Sequence, residues 1–450
     1  MNGELHAYAP AGLPGASKPK LAGEELRRRV LLGVPLAAVG FAIWAFGGVY
    51  GWAYGITYLL IFTALGVWAW ECGQGRMQWR WRPIYAPIVL FGAWAALQYD
   101  SRLSAVPAAT ATALLHLGAA GALFLLVSQT YRGDVDVDWL ARSFSVFTAA
   151  LALLALLEAL TASHGVYWTF TYAYASPAGS FVNRDHFAGC MEMLLPMAAV
   201  AAYRQRGRDW VEFLPWAAPP ALGVAAMVLA ASRGGLMALT AEAASGLAIL
   251  AYLQRRRGER ARRLERQERR SRWQALGVAG GMTLGLVLLL GSQRLQRRLE
   301  DTTAFGPSLE QRAALNASTL AMFDARPLTG WGLGTWAYVY PAYARFDDGV
   351  TYAYAHNDYL QLLAETGLIG ALLAALFWAI WAGEFLRRLR RWPPALLPTG
   401  LRAPPAVPMA VAAAMGCMGL LVHSWVDFNL HIPANLLLFF ALAALALPPD

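Results

Sequence analysis

Three neighbouring residues of this chain combine groups that could exchange a proton and hold a substrate. His356, Asn357 and Asp358 place an imidazole, an amide and a carboxylate at the entrance of a long apolar segment. Ionisable side chains beside such a segment are costly unless they pair or serve a site. Histidine is also well suited to take up a proton near neutral pH. We therefore predict a functional site here, with His356 as the candidate acid–base residue. A helix-entry residue that only bonds Asn357 or Asp358 is the structural alternative.

Three further polar clusters lie at the borders of apolar segments. They are Asn183 to His186, Ser232 to Gly235, and His423 to His431 with Asp427 and Asn429. Each of the four clusters precedes an apolar helix, whose N-terminus favours anions through its free N–H groups. Arg233, and Arg312 from a loop, add guanidinium groups whose forked geometry suits phosphate oxygens. This grouping predicts a diphosphate site that contains Arg233 and Arg312. The residues predicted to support the site are Ser232, Asn357, Asp358, Asn183 and His186.

The same polar groups also have structural interpretations. Arg233 could extend from a helix end to the membrane interface, and Arg312 could be a solvated helix residue. The cluster from Asn183 could be a helix cap with a local ion pair. Asp427 and His431 could pair and brace the last two helices. The sequence leaves these alternatives open, and it leaves open the roles of residues 183–186 and 423–431.

Composition indicates a membrane protein. Of the 450 residues, 58% are hydrophobic and only 14% are charged, whereas about a quarter of the residues of soluble proteins are charged. The mean hydropathy is +0.40, and apolar runs long enough to cross a bilayer recur along the chain. The net charge of +9 would suggest nucleic acid in a soluble protein. Here the basic residues lie in short loops, where they orient the chain, so no nucleic-acid partner is expected.

The apolar runs predict an all-α polytopic membrane protein with about 12 transmembrane helices. The predicted spans are 30–47, 50–70, 84–99, 107–129, 140–162, 186–203, 213–231, 234–253, 274–293, 360–386, 406–424 and 433–448. The predicted organisation is a cytoplasmic tail (1–29), spans one to nine (30–293), a large periplasmic loop with short helices (294–358) and spans ten to twelve (359–450). No removable signal peptide is expected in the tail.

Basic residues predict the orientation of these spans. They are concentrated in the tail and in the loops after spans two, six, eight and ten. These segments fall on one side if the spans alternate, so that side and both termini are predicted to be cytoplasmic. The polar clusters and the loop 294–358 then face the periplasm. The acidic loop 130–139 disagrees, but acidic residues weigh little in this rule.

The loop 294–358 is too long to be a mere connection, and long ordered loops usually carry function. Its segment from Pro307 to Gln311 is a capping-box pattern, which predicts a helix over roughly 309–324 with Arg312 in its first turns. The glycine-rich run from Pro327 to Gly334 then predicts a turn-rich connection.

Neither a metal site nor a cofactor is predicted. The cysteines form no C-x-x-C pair; they are Cys72, Cys190 and Cys417. The run Asp134-x-Asp136-x-Asp138 looks like a metal-binding Asp-x-Asp motif, but it lies on the opposite face from the other clusters, and we expect a solvated loop. Glu158 and His116 lie within spans and are expected to be packing or hydrogen-bonded residues.

The segment HNDYLQLLAETGLIG, which begins at His356, closely resembles the signature of the O-antigen ligase and polymerase family. Further stretches are similar to family positions, and the similarity covers roughly residues 180–435. These stretches are Phe181 to Asn183, His186 to Ala188, Ser232 to Gly234, Arg312 and Arg326 to Gly334. They do not separate the family branches, which include O-antigen ligases, polysaccharide polymerases and protein O-oligosaccharyltransferases.

The resemblance implies a C-type glycosyltransferase fold in the bacterial inner membrane, with a periplasmic cavity between the spans and the large loop. The implied donor is a glycan on undecaprenyl diphosphate, and the acceptor is a lipid- or glycan-linked hydroxyl. No metal or other cofactor is implied. Arg233 and Arg312 would hold the diphosphate, and His356 would meet the acceptor hydroxyl. A single displacement would invert the anomeric centre.

A membrane solute transporter is the alternative from another functional class. Transporters tend to place charged residues near the bilayer midplane, often in repeated halves. Here the polar clusters collect at one predicted surface and no repeat is visible, which favours the enzyme. The sequence does not distinguish a ligase from a polymerase or a protein glycosyltransferase. It also leaves the donor sugar, the acceptor and the oligomeric state undetermined.

Overall fold

The computed structural model describes residues 18–161, 163, 165–172, 176–205, 209–255, 281, 309–391 and 406–447. Its α-helices are α1 (Lys18–Trp44), α2 (Gly51–Gly73), α3 (Tyr85–Asp100), α4 (Pro107–Thr130), α5 (Gly133–Leu160), α6 (Arg184–Gln205), α7 (Trp210–Ala230), α8 (Arg233–Arg255), α9 (Leu309–Ala325), α10 (Trp336–Val339), α11 (Asp358–Arg391), α12 (Ala406–His423) and α13 (Pro433–Leu445). Three 3-10 turns and one antiparallel strand pair also occur in this part: Phe46–Gly48, Tyr340–Ala342, Asn429–His431, and β1 (Gly165–Val166) with β2 (Phe170–Thr171).

The described part is an all-α polytopic membrane protein. Eight of its helices, α2, α4 to α8, α11 and α12, are long and apolar enough to cross a membrane. The helices α3 and α13 have 16 and 13 residues, whereas a straight span needs about 20. Eleven of the twelve predicted spans coincide with helices. Residues 274–293 lie outside the described residues except for 281, so the count of twelve stays a prediction.

Ion pairs collect at one end of the helix bundle. Arg28 near the start of α1 pairs with Asp136 at the start of α5, at 2.6 Å. Arg82, just before α3, pairs with Glu384 near the end of α11, at 2.7 Å. We call this end the basic end. These contacts bring together the helix ends that the alternating arrangement of spans placed on one side.

The prediction of a solvated loop around Asp136 was wrong. The helix α5 begins at Gly133, and the Asp136 side chain is fully buried. It accepts hydrogen bonds from both terminal nitrogens of Arg28 and from the Trp139 indole N–H. Asp138 is paired with Arg204. Asp136 therefore acts as the buried partner of a cation, because an isolated carboxylate would be costly at this position.

The helix α6 forms the centre of the bundle. Nearly all of its residues from Arg184 to Ala201 are buried, because α5, α7, α8, α12 and α13 pack around it. Glycines on the partner helices allow this close approach. A Cβ on Gly416 of α12 would lie 3.0 Å from the Met193 backbone, as expected of helices that pack through small residues in membranes.

The described part of the long loop packs against the start of α11. The predicted helix over 309–324 is confirmed as α9, whereas Ser308 of the capping box lies outside the described residues. In the predicted turn, Gly330 has φ +64°, and a Cβ there would lie 2.3 Å from the Glu365 carbonyl oxygen. Glycine is required because the backbone is left-handed and touches α11. The buried Glu365 carboxylate accepts hydrogen bonds from the Gly334 and Trp336 N–H groups, which fixes the loop on α11.

Candidate functional site

The connection between α12 and α13, residues 424–432, is the place where the predicted clusters meet. It lies at the end of the bundle opposite the basic end, which we call the loop end because α9 and α10 lie there. Asp427 is its central charged residue. The side chain is buried, and histidines from three other segments surround it: His186, His356 and His423.

His356 lies against this connection rather than against its neighbours in sequence. Its Nδ1 is 3.4 Å from Asp427 Oδ1, and its ring meets the edge of Phe428 at a centroid distance of 4.8 Å. The backbone φ of His356 is +53°, a left-handed conformation that is uncommon outside glycine and that recurs at functional sites. The predicted structural alternative, a bond from His356 to Asn357 or Asp358, was wrong.

Two hydrogen bonds hold the strained backbone on either side of His356. The Ala355 N–H donates to Gln361 Oε1 at 2.9 Å. The Asp358 N–H donates to the Ser424 carbonyl oxygen at 2.9 Å. The second bond ties the start of α11 directly to the α12–α13 connection, so it sets the distance between His356 and Asp427.

The electrostatic environment of Asp427 favours the carboxylate. Burial alone raises the pKa of Asp427, but the contact with His356 and the charges of His186 and His423 outweigh burial and lower the pKa below its usual range. The Phe428 N–H donates to Asp427 Oδ1. His356 Nδ1 makes no hydrogen bond among the described residues, so the ionised Asp427 at 3.4 Å is an available acceptor for the Nδ1–H. Nε2 is then left to accept a proton.

Asp358 forms a second histidine–carboxylate pair. His431 Nδ1 lies 2.8 Å from Asp358 Oδ1, and the Leu430 N–H donates to Oδ2. The predicted pairing of Asp427 with His431 was therefore wrong. Burial alone lowers the pKa of His431, but the hydrogen bond to Asp358 and the charges of Asp358 and Glu365 raise it overall. This pair fastens the α12–α13 connection to α11.

Three predicted supporting residues cap helices. The Asn183 side chain accepts the Asp185 N–H at the start of α6. Ser232 accepts the Gly235 N–H at the start of α8, and Asn357 accepts the Leu360 N–H at the start of α11. Each occupies one of the free N–H groups that could otherwise bind an anion. At each of these helix starts, one N–H group that could bind an anion is therefore already occupied by a side chain.

His186, the third residue of α6, joins the group around Asp427. Its ring meets Phe428 at a centroid distance of 4.6 Å, and its backbone oxygen accepts a hydrogen bond from Asn435. Its Nε2 is buried without a hydrogen-bond partner among the described residues.

The two predicted cations approach the same connection from different sides. Arg312 of α9 donates from a terminal nitrogen to the Val426 carbonyl oxygen at 2.9 Å, and its Nε is buried without a partner among the described residues. The solvated interpretation of Arg312 was therefore wrong. Arg233 is the exposed first residue of α8. Its neighbour Gly234 abuts the connection, because a Cβ there would lie 3.2 Å from Val426 Cγ2.

A cavity of about 490 Å³ adjoins the group of residues around Asp427. It lies among α3, α4, α11 and α13 and is covered by residues of the long loop. Its walls are mainly apolar, and Tyr354, Asp358 and His431 supply polar groups. Tyr354 stacks on Phe428 at 4.3 Å, so this ring pair joins the cavity to the group around Asp427. The volume is within the usual range for ligand sites.

His116 and Glu158, the polar residues noted within the spans, make hydrogen bonds inside the protein. His116 Nδ1 lies 2.6 Å from the Tyr58 hydroxyl, and Glu158 accepts the Tyr167 N–H. Across the residues that the structure describes, no group of three or more histidine, cysteine or acidic side chains could hold a metal ion.

Residues 220–375 match a family model described as O-antigen ligase. This match supports assignment of the chain to the O-antigen ligase family. The matched range includes Ser232, Arg233, Arg312 and His356, whereas Asp427 lies beyond it. None of the curated proteins compared with the chain matches it. The match supports glycan transfer of the ligase or polymerase type in general.

Sequence reasoning missed the partnership of Asp427 with His356. The only local signal was the spacing of His423 and Asp427, which places two titratable groups four positions apart at the end of an apolar helix. That spacing does not reveal that residues 354–358, in and just after the segment that leads into α11, complete the group.

Proposed function

We propose that this protein transfers a glycan from undecaprenyl diphosphate to an acceptor hydroxyl by a single inverting displacement at the loop end. The observation that carries the proposal is the convergence of His356, Asp427 and Arg312 on one helix connection, with Arg233 next in sequence to Gly234, which abuts it. A base–carboxylate pair near cations supports the proposal, because transfer from a diphosphate donor requires both. The reaction resembles that of the family, and no metal takes part.

In the proposed mechanism, the arginines act on the leaving group. Breaking the bond between the anomeric carbon and phosphate adds negative charge to the diphosphate. Arg233 at the start of α8 and Arg312 on α9 stabilise that charge, because the forked guanidinium group suits phosphate oxygens and stays positively charged.

His356 acts on the acceptor in the same mechanism. Its Nε2 takes the hydroxyl proton as the acceptor oxygen attacks the anomeric carbon. The imidazolium that forms is stabilised by the Asp427 carboxylate beside Nδ1, as in other histidine–carboxylate pairs. Asp427 is thus a proposed positioning residue in addition to those predicted from the sequence.

The cavity beside Tyr354 suits the apolar part of a lipid-linked substrate. Its walls lie within the membrane-spanning helices, where hydrocarbon is the surrounding medium. Two of its polar groups, Asp358 and His431, lie at the loop end. A carrier chain in this cavity would keep its head group near His356.

Glycan analysis after deletion of the gene tests the proposed function. It also distinguishes a polymerase, a ligase and a protein O-oligosaccharyltransferase from one another. Loss of long chains with single units still attached indicates a polymerase. Loss of all attachment to the acceptor, with carrier-linked chains accumulating, indicates a ligase. Loss of protein-linked glycan alone indicates a protein O-oligosaccharyltransferase. An unchanged glycan profile together with lost uptake of a solute would support the transporter instead.

We further propose that the loop end faces the periplasm and that both termini are cytoplasmic in the bacterial inner membrane. In a background without Cys72, Cys190 and Cys417, Val350→Cys should react with a membrane-impermeant thiol reagent in intact spheroplasts. Gln78→Cys, from the exposed connection between α2 and α3, should react only after lysis. The reverse labelling pattern would invert the orientation.

Transfer is expected to proceed at an unchanged rate in excess chelator. Arg233 and Arg312 provide the positive charge that a metal would otherwise bring to the leaving diphosphate. The measurement is turnover of carrier-linked donor by purified enzyme, with a metal-dependent glycosyltransferase as the control for chelation. Chelator-sensitive turnover that magnesium or manganese restores would contradict the proposed mechanism.

A further inference from the structure

His423, at the end of α12, is buried between two carboxylates. Its Nδ1 lies 3.1 Å from Glu192 Oε2 on α6, and its Nε2 lies 3.8 Å from Asp427 Oδ2. The side chains of all three residues are at most 3% exposed. A neutral imidazole has one N–H and one lone pair, so it would turn the lone pair toward a carboxylate. A doubly protonated ring fits both contacts and balances two buried negative charges.

Other charged groups approach His423 from the helices packed around it. Asp185 acts on it electrostatically from the first turn of α6, as does His186. Glu242 of α8 is buried against Gly419, one turn before His423, and interacts with Glu192. Among these groups, Glu192 makes the close hydrogen-bonded contact with the ring.

Contacts with neighbouring groups determine the orientation of the Asp427 carboxylate. Its Oδ1 accepts the Phe428 N–H and faces His356. Its Oδ2 has no hydrogen-bond partner among the described residues, and His423 Nε2 lies 3.8 Å from it. A carboxylate that is hydrogen-bonded through only one oxygen can rotate about its Cβ–Cγ bond. The charge at His423 favours the rotamer that presents Oδ1 to His356.

The His423 ring also contacts the helix that carries Arg233. A Cβ on Gly234 would lie 2.3 Å from His423 Nε2, so the ring rests directly on the first turn of α8. The buried His423 ring therefore lies between Asp427, the neighbour of the candidate base His356, and the first turn of α8, which carries Arg233.

We propose that Glu192 and His423 are positioning residues for transfer: the pair orients Asp427, and Asp427 orients the His356 imidazole toward the acceptor hydroxyl. This inference rests on the function proposed above. It assigns a role to a buried ion pair within the membrane helices, where unpaired charges are costly and polar groups usually serve a function.

The test uses Glu192→Gln, a substitution that keeps the size of the side chain and removes its charge. We expect kcat to fall about 10- to 100-fold, the effect of losing one charge-assisted hydrogen bond, while binding of undecaprenyl diphosphate is unchanged. Glu192→Asp retains the charge and should recover part of kcat. Adding Glu192→Gln to Asp427→Asn should lower kcat no further than Asp427→Asn alone, because both act through Asp427.

Glu384→Gln is the matched control, because it removes the buried partner of Arg82 at the basic end. It should lower the melting temperature without changing kcat of the folded enzyme. A wild-type kcat in Glu192→Gln, or a loss that adds fully to that of Asp427→Asn, would overturn the inference. If wild-type enzyme transfers glycan and His356→Ala does not, the proposed function stands whichever result Glu192 gives.

Discussion

His356→Ala is expected to abolish most transfer, with kcat reduced about 100- to 10,000-fold, the usual contribution of a general base. The acceptor hydroxyl would have no group to take its proton, whereas the arginines that bind the donor would remain in place. Binding of undecaprenyl diphosphate should therefore survive. The measurement is turnover of carrier-linked donor in purified membranes, alongside binding of the carrier diphosphate to the detergent-solubilised protein.

A control for loss of an imidazole is His6→Ala, in the predicted cytoplasmic tail, which should leave turnover unchanged. Asp427→Asn should retain donor binding and lose part of kcat, because Nε2 of His356 is still present but its ring is no longer held by a carboxylate. Wild-type turnover by His356→Ala would remove this residue from the mechanism and leave the His431–Asp358 pair as the base to examine.

Arg312→Lys and Arg233→Lys are each expected to weaken donor binding about 10- to 100-fold, although the positive charge is retained. Lysine cannot reproduce the planar fork that binds two phosphate oxygens. Arg312→Lys would also weaken the contact with the Val426 carbonyl, which anchors α9 on the α12–α13 connection. Binding of undecaprenyl diphosphate and the transfer rate should be measured for each variant.

Arg345→Lys is the matched control for these arginines. Arg345 lies in the same loop and is exposed, so its replacement should change neither binding nor rate. If Arg312→Lys behaves like Arg345→Lys, the contact with Val426 would be purely structural and the anion would be bound elsewhere.

The sequence predicted the helices well because their signals are local. An apolar run of about 20 residues must form a helix in hydrocarbon, since no water is present to satisfy its backbone. The capping pattern before Gln311 likewise predicted α9 from four or five adjacent residues. The run from Asp134 to Asp138 was misjudged for the same reason. Its residues look solvated in isolation, and nothing nearby in sequence shows that Arg28 buries Asp136.

The sequence indicated which residues belong to the candidate site. It did not indicate which of their side chains contact one another. The sequence indicated His356, Arg233 and Arg312, and it placed all four polar clusters at one end of the helices. Its structural alternatives were a bond from His356 to Asn357 or Asp358 and a pair of Asp427 with His431. The structure instead pairs His356 with Asp427, and Asp358 with His431.

What the sequence by itself determined is an all-α membrane protein with its polar residues at helix ends and a segment that resembles the O-antigen ligase family. Hydrophobic run length, capping residues and a contiguous family motif contain that information. Only the tertiary structure decided which ionisable groups face one another. Gly234 permits His423 to lie on α8, and the Asp358–Ser424 backbone bond ties α11 to the α12–α13 connection. Such contacts depend on the fit between side chains far apart in the chain, which no local pattern encodes.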